Sequence, residues 1–532
     1  MSAIEPEIDE NTQKGTRTSL SSLILVPPIV FSLLYFVDVY LRASQKYFWF
    51  DELVTLYVCR LPIGSLWNAL RHGIDFNPPL FFLVTDLSKA ILGETPTGMR
   101  APEMVGFWIL CLCLYAVVTR RAGWLAGTIA MALPMVSGAF YYAYEARPHA
   151  LVLGFCGLAL LCWQMSLERS SSRRWLVAFS LCLLGAFLLH CYAILISVPF
   201  AAFELLRTKA RRGVYWPMWI AMIAPSLIAS LVYVPLLISY RSHMKGTDYA
   251  ATFSPSIGAL TGFYVYLVSP CILILIAACS LFAIQVISGL RVQRSDGTGD
   301  VSSRTPEAIV GAAFLFMPIL GFVLAKVMGG PFIGRYFMST LIGLCLLIGV
   351  GAGARRSANW VALVLITLLT LPVLWNFTAL IWHRDHGQAE DLHEPSSGFT
   401  MNASLRGPLD RYQVLTSAAE DSRPIAVLDP LDYLYLLHYA PGLRSRLYYV
   451  QGARNDFAYT GYQDFQQWAP FKFNRVLTKQ ELLEMSPRWL VYGRTASLAE
   501  LILLIKPGGT ITFPQFSNDH FLADMEMNRT IH

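Results

Sequence analysis

Charge is what this 532-residue sequence has least of. Asp, Glu, Lys and Arg together make up 14% of it, against 55% hydrophobic residues, and the mean hydropathy is +0.48. A soluble domain carries about 25% charged residues. A chain this long and this poor in charge has more apolar surface than a water-soluble fold can bury, which excludes that class and points to lipid as solvent. Ordered cysteine patterns are also missing. Of the ten cysteines, nine lie in or beside apolar segments, Cys59 sits in a polar loop, and no CxxC pair occurs; this excludes a zinc ribbon and a disulfide framework. No GxxxxGK[ST], HExxH or GxSxG is present, so nucleotide hydrolysis, zinc proteolysis and α/β-hydrolase chemistry lack their motifs, and no nucleotide cofactor is expected. The net charge of +6 is small and scattered, which does not suit nucleic acid.

What is there is a series of long apolar runs. A membrane helix needs about 20 mostly apolar residues. Runs of this kind fall near 22–41, 103–119, 124–142, 149–167, 175–189, 191–206, 215–238, 261–286, 307–327, 336–353 and 359–381, which predicts eleven spans. The first is longer than a signal-peptide core and lacks an AxA-like site after it, so it reads as a permanent span. The segment 77–92 (NPPLFFLVTDLSKAIL) is interrupted by Asp86 and Lys89 and reads as an amphipathic helix on the membrane surface. Loop charges support this. With that segment outside the count and the N-terminus cytoplasmic, the cytoplasmic loops hold fourteen Lys and Arg and the outer loops between the same spans hold four, Arg147, Arg241, Lys245 and Arg335; a twelfth span would invert the bias.

The expected organisation is a polar, disordered cytoplasmic tail at 1–21, a membrane domain at 22–382 with a long outer loop at 42–102, and a small extracytoplasmic α/β domain at 383–532. In the last, Arg423–Asp429, Arg446–Val450 and Arg488–Tyr492 read as buried strands, Pro430–His438 and Lys479–Met485 as helices, and Thr510–Phe513 as a last strand after a Gly-Gly turn.

Three polar clusters fall on the predicted outer face. Asp51 and Glu52 stand among Phe48, Trp49, Phe50 and Leu53. Acids there either favour a helix N-terminus through its dipole or serve as proton acceptor or cation ligand. Glu145 and Arg147 precede Pro148 and His149; they form either a structural turn or a second carboxylate with an anion ligand. Arg335 and Tyr336 follow Gly329-Gly330-Pro331 in a short loop, where an Arg either snorkels or grips a phosphate. His72, Asn77, His190, His243 and Lys245 face the same side, and a lone His is more often structural.

Taken in order, WFDELVTLYV (49–58), DFNPPLFFLV (75–84), MRAPEMVG (99–106), YYAYEARPHALVL (141–153) and GRYFMST (334–340) resemble the GT-C superfamily of membrane glycosyltransferases, in the branch of bacterial protein O-mannosyltransferase and lipid A aminoarabinose transferase relatives. The likeness covers the membrane part, most firmly 45–160. It implies a GT-C-like polytopic fold and transfer of sugar from a polyprenyl-phosphate donor, with inversion, to a glycan, lipid or protein acceptor on the outer face of a bacterial inner membrane. By similarity Asp51, Glu52 and Glu145 are catalytic. Arg147, Arg335, Lys245 and Arg241 would meet the donor phosphate, with His72, Asn77, His149 and Tyr336 around the pocket and Asp51 and Glu145 available to a divalent ion. Many relatives carry His where this chain has Asn77, and an amide neither titrates nor ligates as imidazole does. The rival reading is a transporter or lipid-linked sugar flippase; it is weakened by spans with few ionisable groups.

Overall fold

The computed structural model describes residues 24–71, 74–168, 173–243, 253–292, 305–352, 359–385, 414–415, 418, 421–451, 475–495, 509–516 and 520–527. The tail at 1–21 and most of the 383–413 boundary region lie outside them. The described membrane part is helical. In chain order it contains α1 (Val26–Gln45), α2 (Phe50–Cys59), α3 (Ile63–Arg71), α4 (Pro79–Leu92), α5 (Pro96–Ala122), α6 (Trp124–Ala132), α7 (His149–Glu168), α8 (Arg173–Leu189), α9 (Ser197–Arg211), α10 (Trp216–His243), α11 (Ile257–Val268), α12 (Ile272–Val292), α13 (Thr305–Met328), α14 (Thr340–Ala352) and α15 (Asn359–Asp385).

Each of the eleven apolar runs carries helix. Among the described residues seven helical segments are long and apolar enough to cross a membrane, or eight if a bent pair counts as one. The span expected at 124–142 is bent: Trp124–Val136 and Gly138–Tyr144 meet at 74°. Pro134 turns the chain into 3₁₀ geometry, and Ser137 is extended, with φ −112° and ψ 163°. Gly138 then lies so close to the Tyr266 carbonyl that a Cβ would collide with it. The break sets residues 145–149 at the end of the bundle.

α5 is the hub. It packs on α1, α4, α6, α7 and α14. Gly106 and Gly154 face each other where α5 crosses α7, each leaving no room for a Cβ beside the other helix's backbone, the close approach that small residues allow in membranes. Thr95 caps α5 by accepting the Gly98 N–H. The amphipathic segment forms as α4, and its two faces are clear. Phe81, Phe82 and Thr85 are buried, whereas Leu83, Leu87, Ile91 and Leu92 are exposed. That exposed apolar stripe suits a lipid surface.

The C-terminal part contains β1 (Ile425–Val427), α16 (Pro430–Tyr439), β2 (Leu447–Gln451), β3 (Val476–Thr478), α17 (Lys479–Met485), β4 (Arg488–Arg494), β5 (Gly509–Phe516) and β6 (His520–Met527). Its sheet order is β3-β2-β1-β4-β6-β5. β3, β2, β1 and β4 are parallel, and β6 and β5 are antiparallel. Two strands were not foreseen: the short edge strand β3 and the closing strand β6, so Thr510–Phe513 is not the last. β6 (HFLADMEM) mixes acids and Met that favour helices; pairing along β4 overrides that preference. One apolar cluster runs through α2, α3, α4 and α16 together, so this α/β unit sits on the juxtamembrane helices.

Candidate active site

Four segments meet at one end of the bundle: the start of α2, the turn before α4, residues 145–149 and the 3₁₀ turn Gly334–Phe337. Asp51 and Glu52 are neighbours in the first turn of α2, about 100° apart around the axis, and they face different surroundings.

Glu52 turns inward and is fully buried. Its Oε1 accepts from Arg100 Nε at 2.7 Å and from the Ala146 N–H at 2.7 Å; its Oε2 accepts from Arg100 Nη2 at 2.8 Å and from the Trp49 N–H at 3.3 Å. Lys46 Nζ stands 3.8 Å away. Burial pushes this carboxyl up, but Arg100, Lys46 and the Ala146 N–H together hold it below the ordinary glutamate value. Arg100 spends its other N–H groups on the carbonyls of Ala43, Lys46 and Tyr47. The pair therefore seals the end of α1 and ties the Asp51 loop to residue 146. Glu52, expected in catalysis, has both carboxylate oxygens engaged by protein donors. Arg100 was read only as part of a matching segment.

Asp51 turns toward cations. Its Oδ2 is 3.2 Å from Arg335 Nη1 and 3.7 Å from Arg147 Nη2. Arg147 donates from Nη1 to Asp75 Oδ2 at 2.6 Å, and the Asp75 carboxylate also accepts from the Asn77 N–H and Nδ2. Asn77 therefore holds Asp75, and Asp75 aims Arg147; Asp75 had not been singled out as a site residue. Burial works against both arginines, yet Asp75 and Asp51 keep Arg147, and Asp51 keeps Arg335, above the ordinary guanidinium value. Neither Arg147 Nε nor Arg335 Nε has a hydrogen-bond partner among the described residues. Two cations with a donor each to spare, across one carboxylate, can receive an anion.

Glu145 is buried and accepts from Trp49 Nε1 at 2.8 Å, which joins the second acidic segment to the first. Arg335 lies 5.9 Å from the Trp49 ring and 5.8 Å from the Tyr336 ring. Beside them Tyr142, His149, His190, Tyr192 and Tyr336 form a chain of ring contacts, with His190 and Tyr336 centroids 4.6 Å apart. Burial, Arg147 and Arg335 lower His190 to about 3, so it is a neutral imidazole here. His190 Nδ1 accepts from the Tyr192 N–H. His72 and Lys245 lie outside the described residues, and Arg241 ends α10 in a stretch whose side chains are likewise outside them.

A divalent ion is expected on Asp51 and Glu145. Asp51 already faces two guanidinium groups, and among the described residues no three His, Cys, Asp or Glu side chains gather as ligands.

A further buried acid stands behind the site. Glu103, in α5, is fully buried, and among the described residues neither oxygen receives a hydrogen bond from another residue. A buried polar group without a partner costs about 1–3 kcal/mol. Glu103→Met is therefore expected to leave stability unchanged or raise it by about that amount, read as a thermal unfolding midpoint in lipid nanodiscs; a fall in midpoint would show that Glu103 has a partner.

No family model matches the chain, and no curated protein sequence matches it. Its fold is shared with solved structures at low sequence identity. In particular, the apo structure of ArnT from Cupriavidus metallidurans aligns with a TM-score of 0.56 at 12% identity, over 95% of this chain and 98% of that one. The structure of the same enzyme bound to undecaprenyl phosphate aligns with a TM-score of 0.53 at 14% identity over the same shares.

Proposed function

We propose that this integral membrane protein is an inverting glycosyltransferase that moves a sugar from a polyprenyl-phosphate carrier to an acceptor hydroxyl or amine. The observation that carries the reading is the pair of arginines, Arg147 and Arg335, whose guanidinium groups flank Asp51 and whose Nε donors no described residue engages. The similarity in fold to an enzyme holding undecaprenyl phosphate supports the choice of donor.

The chemistry follows from this geometry. Arg335 is the less buried arginine, with its side chain 24% exposed against 10% for Arg147, and it meets the donor phosphate first. The phosphate then shares the two guanidinium groups with Asp51. The acceptor attacks the anomeric carbon, the bond from that carbon to the phosphate oxygen breaks, and the electron pair leaves with the phosphate. The two arginines stabilise the charge that grows there, and the acceptor proton passes to Asp51. The Tyr142–His149–His190–Tyr336 wall supplies neutral aromatic faces for the sugar. The apolar stripe of α4, Leu83, Leu87 and Ile91, lies in the lipid surface along which the carrier approaches. The reading places the site and the α/β domain on the outer face of a bacterial inner membrane, with the N-terminus in the cytoplasm.

The test is release and transfer of labelled sugar from a panel of polyprenyl-phosphate sugars by the protein in nanodiscs, with membrane extract as acceptor. Arg335→Ala is expected to raise the donor KM about 10- to 100-fold, the worth of one or two charge-assisted hydrogen bonds. Folded protein that releases sugar from no donor would overturn the reading in favour of lipid-linked sugar transport.

A further inference from the structure

Among the described residues, one helix brings the α/β domain to the Asp51 loop. α16 (Pro430–Tyr439) ends against the loop that carries Asp51. There the Tyr439 hydroxyl accepts the Phe48 N–H at 2.6 Å and lies 3.4 Å from the Phe48 carbonyl, to which it donates. Ring contacts surround this clamp: Tyr47 with Tyr439 at 5.6 Å, Phe48 with His438 at 5.9 Å and Tyr435 with Tyr439 at 4.7 Å. The hydroxyl thus satisfies both backbone groups of one residue, in a segment between two helices that has no ladder of its own.

Phe48 sits where position matters. The next residue, Trp49, gives its N–H to Glu52 and its Nε1 to Glu145; two residues further is Asp51. From the other side Arg100 fixes the carbonyls of Lys46 and Tyr47. The loop is held from below by a membrane helix and from above by Tyr439. The far end of α16 is anchored too. Asp432 in its first turn and Asp429 just before it face Arg494 at 3.1 and 3.6 Å, and Arg494 ends the central strand β4. α16 is therefore a strut between the middle of the sheet and the Asp51 loop.

We propose that Tyr439 is a positioning residue for the transfer reaction: by clamping the Phe48 backbone it sets where Asp51 stands relative to Arg335, and so makes the α/β domain part of the catalytic apparatus. The proposal rests on the glycosyltransferase reading above for its kinetic consequence, and on the hydrogen bonds alone for its structural one.

Tyr439→Phe removes the hydroxyl and keeps the ring. In a site where displacement of about 1 Å costs on the order of 100-fold, the variant is expected to lower kcat roughly 10- to 100-fold with the donor KM within about twofold of wild type. Hydrogen–deuterium exchange should rise in the 46–53 segment and stay as in wild type across β1, β2 and β4. Unchanged kcat with unchanged exchange in 46–53 would overturn the proposal. So would faster exchange throughout the sheet, which would mean that the hydroxyl supports the domain and not the loop. Should wild type transfer no sugar, the glycosyltransferase reading fails while the exchange pattern still decides the clamp. Should Tyr439→Phe not accumulate, wild type alone decides it: slow exchange of the Phe48 amide supports the clamp, and exchange at the rate of an open loop overturns it.

Discussion

Asp51→Asn is expected to reduce sugar transfer by roughly 10²- to 10⁴-fold, the range for loss of a positioned general base. The donor KM should hold or fall. Asp51 is the counter-charge that Arg335 and Arg147 share while no phosphate is present. An amide in its place accepts no proton, yet it leaves both guanidinium groups freer to meet the phosphate. The donor KM therefore separates the two variants: it rises in Arg335→Ala and does not rise in Asp51→Asn. Single-turnover transfer with saturating donor reads the chemical step, and competition by an unlabelled polyprenyl phosphate reads binding. If Asp51→Asn instead raised KM and spared kcat, Asp51 would be holding the arginines in place for the donor and some other group would take the proton. Glu145 is then the next candidate, because Trp49 already links it to the same loop.

The split between Asp51 and Glu52 shows where reading the sequence stops. Both acids were visible, and so was the company they keep: Glu145, Arg147 and Arg335 do come together with Asp51. The apolar runs gave the helices in order because hydrophobic length is a property of local sequence. Which way an acid faces is not. Neighbours on a helix point about 100° apart, and only the tertiary partner, Arg100 for one and Arg335 for the other, decides which is sealed and which is available. Arg100 was legible only as part of the segment 99–106, just before the run at 103–119. Asp75 was hidden beside the Pro-Pro that follows it, since its importance comes from Arg147, 72 positions later. The break at Ser137 was invisible because an apolar stretch reads alike whether it runs straight or bends. Tyr439, 391 positions from Phe48, had no signal in the chain.

Arg100→Ala is expected to have the largest effect on the fold. It removes the hydrogen bonds from Nε and Nη2 to a carboxylate with no solvent exposure and leaves the carbonyls of Ala43, Lys46 and Tyr47 without their donors. Breaking a buried pair from one side costs about 3–5 kcal/mol, chiefly through the charge left behind, a large part of the stability of any domain. Most of the variant should fail to accumulate in the membrane. What survives should carry a distinctive pH signature. In the intact protein Glu52 is held below its ordinary value; its contribution is complete above that ordinary value and is lost as pH falls through the depressed one. Without Arg100, burial is the dominant influence and raises the folded value, so the sign reverses: the variant is penalised most at neutral pH, and the penalty shrinks as acid protonates Glu52. Adding Glu52→Gln to Arg100→Ala removes the stranded charge and should recover part of the loss at neutral pH, with the difference between single and double variants vanishing toward low pH. Thermal midpoints in nanodiscs across pH 5 to 8 measure this. A single variant as stable as wild type at neutral pH, or a double variant no better than the single, would mean that the loop is held by contacts other than the Glu52–Arg100 pair.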